Sequence, residues 1–128
     1  MSDVVGIGID IVEIERIKAA VSKSPRFMDR IFTPREKDYF ECKKFSPATM
    51  AGNFAAKEAV VKALGTGIRD ISFVEIEILR DDLGKPIATM GGRLGAICRA
   101  KGISDIQISI SHSKHYAVAN AIATNRGD

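Results

Sequence analysis

Apolar and polar positions change period several times along this chain of 128 residues. The opening Val4-Val5-Gly6-Ile7-Gly8-Ile9-Asp10-Ile11-Val12 is β-branched and glycine-punctuated, which predicts a buried strand delivering Asp10 at or near its carboxyl end. From Ile14 the period becomes helical. Ile14, Ile17 and Val21 recur at helical spacing with Arg16, Lys18 and Lys23 interleaved, an amphipathic helix closed by Pro25. A short helical piece follows from Arg26 to Phe32. Thr33-Pro34-Arg35-Glu36 then combines a capping box with proline at the first helical position, so another helix starts there. Ser46-Pro47 repeats the start signal, and the Ala-rich stretch from Pro47 to Leu64, stopped by Gly65, is the longest predicted helix.

The second half changes to strand chemistry. Val74, Ile76 and Ile78 alternate with Phe73, Glu75 and Glu77, and Asp81-Asp82-Leu83-Gly84-Lys85-Pro86 supplies a hairpin turn. A helix from Gly91 to Lys101, stopped by Gly102, precedes two closing strands, Asp105 to Ser111 and Tyr116 to Thr124. The order β, several α, ββ, α, ββ indicates an α+β fold.

Composition narrows the class. With 45% apolar, 27% charged and 6% aromatic residues, one compact domain spanning residues 1–128 is expected, and disorder is not. A chain of this length buries roughly two-thirds of its unfolded surface, enough for a core without disulfide staples. Cys42 and Cys98 match neither a disulfide framework nor a zinc spacing, which fits a reduced cytoplasmic setting. Asp3 and Asp10 break any secretory pattern at the start, and no segment has membrane-spanning length.

The net charge of +3 is far from that of a nucleic-acid arm, but its distribution is uneven. Between Arg16 and Arg35 the basic residues Arg16, Lys18, Lys23, Arg26, Arg30 and Arg35 face a single acid, Asp29. That stretch is either a surface for an acidic partner or an ordinary solvated helix face.

Three places carry candidate chemistry. Asp10 is an ionisable group inside an apolar strand and requires pairing, hydrogen bonds or a metal; capping of the following helix is the plain alternative. Glu58 and Lys62 stand four apart on one face of the long helix, flanked by small alanines; the plain alternative is a solvent-exposed pair worth a few tenths of a kcal/mol. Ser109 and Ser111 share one strand face and His112 follows, either in a functional cluster or as a locally bonded turn histidine. Neither Gly6-Ile7-Gly8 nor Gly65-Thr66-Gly67 extends to a dinucleotide or phosphate-loop motif. Ser111-His112-Ser113-Lys114 lacks the companion motifs of a serine acyl-transferase, and His112 with His115 lacks a third metal ligand.

Taken together, the strand GIGIDIVEIERI, the helix FAAKEAVVKALGTG, the turn GKP and the strand ISISHSKHYAVA resemble, in order and spacing, the bacterial holo-acyl-carrier-protein synthases, the small 4′-phosphopantetheinyl transferases of fatty-acid synthesis. The resemblance runs from Val4 to Ile122. It implies an antiparallel sheet packed against helices. The activity it implies is transfer of the phosphopantetheine arm of coenzyme A to a serine of apo acyl carrier protein, releasing adenosine 3′,5′-bisphosphate. The nucleophile then belongs to the partner, which accounts for the lack of an internal nucleophile constellation.

Under this resemblance Asp10 and Glu58 match the Mg²⁺ ligands, and Lys62 matches the lysine that stabilises or protonates the leaving phosphate. Either Glu58 or a water oriented by Asp10 takes the serine proton. Lys57, Gly65, the Gly84-Lys85-Pro86 turn and His112 match coenzyme contacts. Arg16, Lys23 and Arg26 match the helix that docks an acidic carrier protein, with Phe27 adding an apolar contact. The resemblance further implies a homotrimer with its active site between protomers, and no role for nucleic acid or a membrane. One departure stands out: many relatives carry arginine where this chain has Asn53, so a cationic contact is expected to be missing there. The rival reading is a non-enzymatic module binding RNA or another polyanion through the basic helix, against which low aromatic content and the lack of an RNA motif count.

Overall fold

The computed structural model describes residues 2–65 and 71–126. In chain order these form β1 (Ser2–Glu13), α1 (Ile14–Lys23), α2 (Pro25–Ile31), α3 (Pro34–Cys42), α4 (Pro47–Leu64), a 3₁₀ turn (Phe73–Glu75), β2 (Ile76–Arg80), β3 (Pro86–Met90), α5 (Gly92–Ala100), β4 (Asp105–His112) and β5 (Tyr116–Arg126). The α+β class is as expected from the sequence. The strands form two antiparallel sheets, one ordered β1-β5-β4 and the other β2-β3.

The long helix α4 lies against the larger sheet, and the reason is side-chain size. Gly6, Gly8, Asp10 and Val12 of β1 oppose Ala123, Ala121, Ala119 and Ala117 of β5 on the inner face, and those four alanines are fully or almost fully buried. A Cβ at Gly8 would lie 2.1 Å from the Ala59 carbonyl oxygen, and one at Gly6 would lie 1.8 Å from that of Ala63. Two strand residues advance about 6.6 Å and four helical residues about 6 Å, so the two glycines accommodate consecutive turns of α4. The Gly-Ile-Gly pattern therefore serves backbone contact between helix and strand.

Local chemistry accounts for the helix ends. At α3 the Thr33 hydroxyl accepts from the Glu36 N–H (3.2 Å) while the Glu36 carboxylate accepts from the Thr33 N–H (2.8 Å). At α4 the Ser46 hydroxyl accepts from the Thr49 N–H, and Gly65 (φ +100°) ends the helix. The Asp81 carboxylate accepts the Leu83 and Lys85 N–H groups, both at 2.9 Å, fixing the β2–β3 turn.

Three expectations change. β1 is buried on one face only, because Ile7, Ile9 and Ile11 are exposed on the outer face of the sheet while Gly8 and Val12 are buried. Phe73–Glu75 is a turn rather than the start of a strand, since the Glu75 carboxylate accepts the Ser72 and Leu94 N–H groups (both 2.9 Å) and ties the turn to α5. His112 is the last residue of β4, not a turn residue. Thr66 and Gly67 lie outside the described residues.

Candidate active site

Asp10 sits on β1 three residues before its end, with its side chain 16% exposed. The missing side chain at Gly8 leaves a passage along the strand, and the Lys62 stem occupies it: a Cβ at Gly8 would lie 2.9 Å from Lys62 Cβ. Lys62 Nζ thereby donates to Asp10 Oδ1 (3.1 Å) and to the Ile9 carbonyl (3.0 Å). The sequence spacing pairs Lys62 with Glu58. In the fold it pairs with Asp10, a strand residue 52 positions away.

Glu58, one turn before Lys62, lines a groove with Asp10, Ile11, Val12, Arg16, Ile17, Ala20, Phe27 and Phe54. Burial pushes its carboxyl above the ordinary glutamate value of 4.5, the Asp10 carboxylate adds to that rise, and the Lys62 ammonium opposes it. Two nearby carboxylates and an ammonium at the edge of a partly apolar groove can hold a hard cation and meet a phosphate. Among the described residues no cluster of three or more His, Cys, Asp or Glu side chains forms a complete metal site.

Arg16 and Phe27 line this same groove, and Phe27 stacks on Phe54 with ring centroids 6.1 Å apart. Lys23 and Arg26 are exposed on the adjoining ends of α1 and α2 rather than in the groove. Asp29 is engaged by Lys37, leaving the basic stretch without its single acid.

A second groove lies toward the N-terminal end of α4. It is lined by Tyr39, Ala48, Thr49, Gly52, Arg80, Gly84, Pro86, Ile110 and His112. Pro86 and His112 thus line one groove, with exposed Lys85 between the lining residues Gly84 and Pro86. Gly65 does not join them: it is thirteen residues beyond Gly52, about 20 Å along the helix axis. Among the described residues none lines both grooves.

Lys57 is the clear correction. It has no exposed surface, and its ammonium donates to Glu36 Oε1 (2.6 Å), the Ile31 carbonyl (2.7 Å) and the Phe73 carbonyl (3.0 Å). All three N–H donors are satisfied internally, so Lys57 is not placed to meet a coenzyme. Burial lowers its pKa against the opposing pull of Glu36. Glu36, also fully buried, accepts the Ile78 N–H in addition (2.9 Å). Asn53 is equally enclosed: its amide donates to the Ile78 carbonyl (3.0 Å) and its Oδ1 accepts from Arg80 Nη2 (2.9 Å). A guanidinium therefore stands beside position 53 after all, delivered from β2; the sequence showed no signal for this long-range contact. Ser111 and Lys114 are exposed and form no hydrogen bond with each other among the described residues.

Residues 6–121 match the family model of the 4′-phosphopantetheinyl transferase superfamily. A holo-[acyl-carrier-protein] synthase of Alkaliphilus metalliredigens is 56% identical over 119 residues, covering 93% of this chain and 98% of the relative. Among solved structures, the holo-ACP synthase of Plasmodium yoelii superposes with a TM-score of 0.88 at 31% identity, covering 99% of each chain. The Bacillus anthracis holo-(acyl-carrier-protein) synthase in complex with CoA (3′,5′-ADP) gives 0.78 at 39% identity, over 96% of this chain and 98% of that one.

Proposed function

The chain belongs to the 4′-phosphopantetheinyl transferase superfamily, and from that premise we infer that it is a holo-acyl-carrier-protein synthase, moving the phosphopantetheine arm of coenzyme A onto a serine of apo acyl carrier protein. The observation that carries the reading is the meeting of Asp10, Glu58 and Lys62 across β1 and α4. The serine oxygen forms a bond to the pantetheine-side phosphorus, and the bond from that phosphorus to the bridging oxygen breaks. Adenosine 3′,5′-bisphosphate leaves with the electron pair. Such transfer depends on positioning and charge neutralisation more than on a protein nucleophile.

Glu58 is the favoured acceptor of the serine proton, because its raised pKa brings a carboxylate closer to the pH at which it acts. Lys62, steadied by Asp10 and the Ile9 carbonyl, faces the leaving phosphate. The carboxylate oxygens of Asp10 and Glu58 fit a hard divalent cation; Mg²⁺ held there would neutralise pyrophosphate charge. Gly65, Lys85, Pro86 and His112 are the proposed coenzyme contacts. Arg16, Lys23, Arg26 and Phe27 form the proposed docking surface for the acidic carrier, in preference to RNA.

A homotrimer with its sites between protomers follows the same reading. Two features support it: the outer face of β1 exposes Ile7, Ile9 and Ile11, each above 60%, and the proposed coenzyme contacts lie at opposite ends of α4. We place the enzyme in the cytoplasm, in keeping with its unpaired cysteines; among the described residues no helix is long and apolar enough to cross a membrane.

Intact-mass spectrometry of an apo acyl carrier protein incubated with this chain, coenzyme A and Mg²⁺ tests the function. The carrier gains one phosphopantetheine group, and the gain disappears with EDTA. An unchanged mass across several carriers overturns the assignment.

A further inference from the structure

Helix α4 ends in a contact that its own segment does not supply. The last carbonyls of a helix have no partner within it, and here the Leu64 carbonyl accepts a hydrogen bond from Lys101 Nζ at 3.0 Å. Lys101 is the residue that follows α5, thirty-seven positions away in the chain. The α5–β4 turn aims it. The Lys101 N–H donates to the Ile97 carbonyl (3.0 Å), the Gly102 N–H to that of Arg99 (3.1 Å) and the Ile103 N–H to that of Cys98 (2.9 Å), with Gly102 at φ +73°. Ile103, half-buried against the core, anchors the turn. Lys101 thereby sets a cation at the negative end of the α4 dipole. No carboxylate lies within ion-pair distance of it among the described residues. Its ammonium is also 3.9 Å from the point a Cβ on Gly65 would occupy, so it flanks the residue at which α4 stops.

We infer that Lys101 is a positioning residue for the coenzyme: it holds the Leu64–Gly65 end of α4 in place so that the Gly65 backbone meets the bound nucleotide, and so sets coenzyme affinity. This rests on the coenzyme reading above, in which Gly65 is a contact. The role is confined to binding, because the reaction centre is fixed by other means. Lys62 is held by Asp10 and the Ile9 carbonyl, and the last turns of α4 abut β1 at Gly6 and Gly8. The Gly65 N–H donates to the Lys62 carbonyl at 3.2 Å, so opening of the helix end releases Gly65 and its amide together.

Steady-state kinetics and amide hydrogen exchange on the full chain test this with Lys101→Met, which keeps the side-chain length and removes its charge and donors. The KM for coenzyme A rises about 10-fold, while kcat and the KM for apo acyl carrier protein stay within about twofold. In the ligand-free protein, exchange at the Gly65 amide accelerates about 10-fold. Lys101→Arg, which keeps a cation and its donors, brings both readouts back to within about threefold of the parent. Lys101→Gln, shorter and uncharged, gives the methionine pattern if the methionine variant folds poorly. An unchanged KM for coenzyme A overturns the inference, as does unchanged exchange at Gly65. A parallel change in kcat and both KM values, the mark of general destabilisation, overturns it as well. If the unaltered chain neither binds coenzyme A nor modifies any carrier, the coenzyme reading fails and this inference with it, whatever the exchange at Gly65.

Discussion

Helix α4 carries two lysines five residues apart, and each meets a carboxylate, yet the two neighbourhoods do opposite things. Around Lys57 every donor has an acceptor, the partner Glu36 is fully buried, and the pair ties together the end of α2, the start of α3 and the Phe73 turn. Around Lys62 the ammonium side chain is 55% exposed, its partner Asp10 opens on a groove, and Glu58 is held with its charge disfavoured. The first cluster is saturated and holds segments in place; the second is left incomplete and so has capacity for a substrate. Residue type does not separate them, whereas satisfaction of donors and acceptors does.

Substitutions sharpen this contrast. Glu58→Gln reduces transfer by at least about 10³-fold while the protein stays folded by circular dichroism; near-normal turnover at saturating Mg²⁺ would remove both roles given to Glu58. The sign for stability is the reverse of that for activity. Glu58 has a folded pKa above its unfolded value, so the stability it contributes at low pH is lost as pH rises through that interval. The glutamine variant accordingly melts at neutral pH no lower than the parent.

Lys57→Met does the converse and destabilises the protein, costing about 3–5 kcal/mol in chemical denaturation, because the Glu36 carboxylate is left buried without its cation. Adding Glu36→Gln to that variant recovers part of the loss. A Lys57→Met protein of unchanged stability that has lost only coenzyme affinity would return Lys57 to the binding site.

The smallest structural effect belongs to Lys62→Ala. Its pairing with Asp10 is partly solvated, so stability changes by less than about 1 kcal/mol, while turnover falls on the order of 100-fold. Removing that ammonium also takes away the influence lowering the Glu58 pKa. In a carbon-13 titration of the metal-free variant, the Glu58 carboxyl therefore moves to still higher pH; movement to lower pH would contradict the arrangement.

Much of the fold was legible because its signals are local. Thr33-Pro34-Arg35-Glu36 and Ser46-Pro47 mark the starts of α3 and α4, and Gly65 marks the end of α4, all within a few residues of the backbone they control. The same locality explains the failures. Glu75 looks like an alternating strand residue until its carboxylate is seen to accept the Leu94 N–H, nineteen positions away. Asn53 looks like a lost cation until Arg80 arrives from β2, and Lys57 looks like a ligand contact until α2, α3 and the Phe73 turn close around it. The exposed isoleucines of β1 follow the β-branched pattern of a strand buried on both faces, because periodicity records side-chain chemistry and not what covers each face. Asp10, Glu58 and Lys62 were each identifiable, but the pairing of Lys62 with Asp10 is a property of the packed helix and strand.

The contact of Gly6 and Gly8 with the main chain of α4 has a consequence for how such a protein can diversify. A joint made of backbone has no rotamers to readjust, so the spacing between Asp10 and Lys62 is inherited from the path of the chain and not from neighbouring side chains. Lineages, or engineers, can therefore rewrite the exposed residues of the proposed docking surface on α1 and α2 without recalibrating the proposed reaction centre. Those two glycines are positions where even one added carbon would displace it.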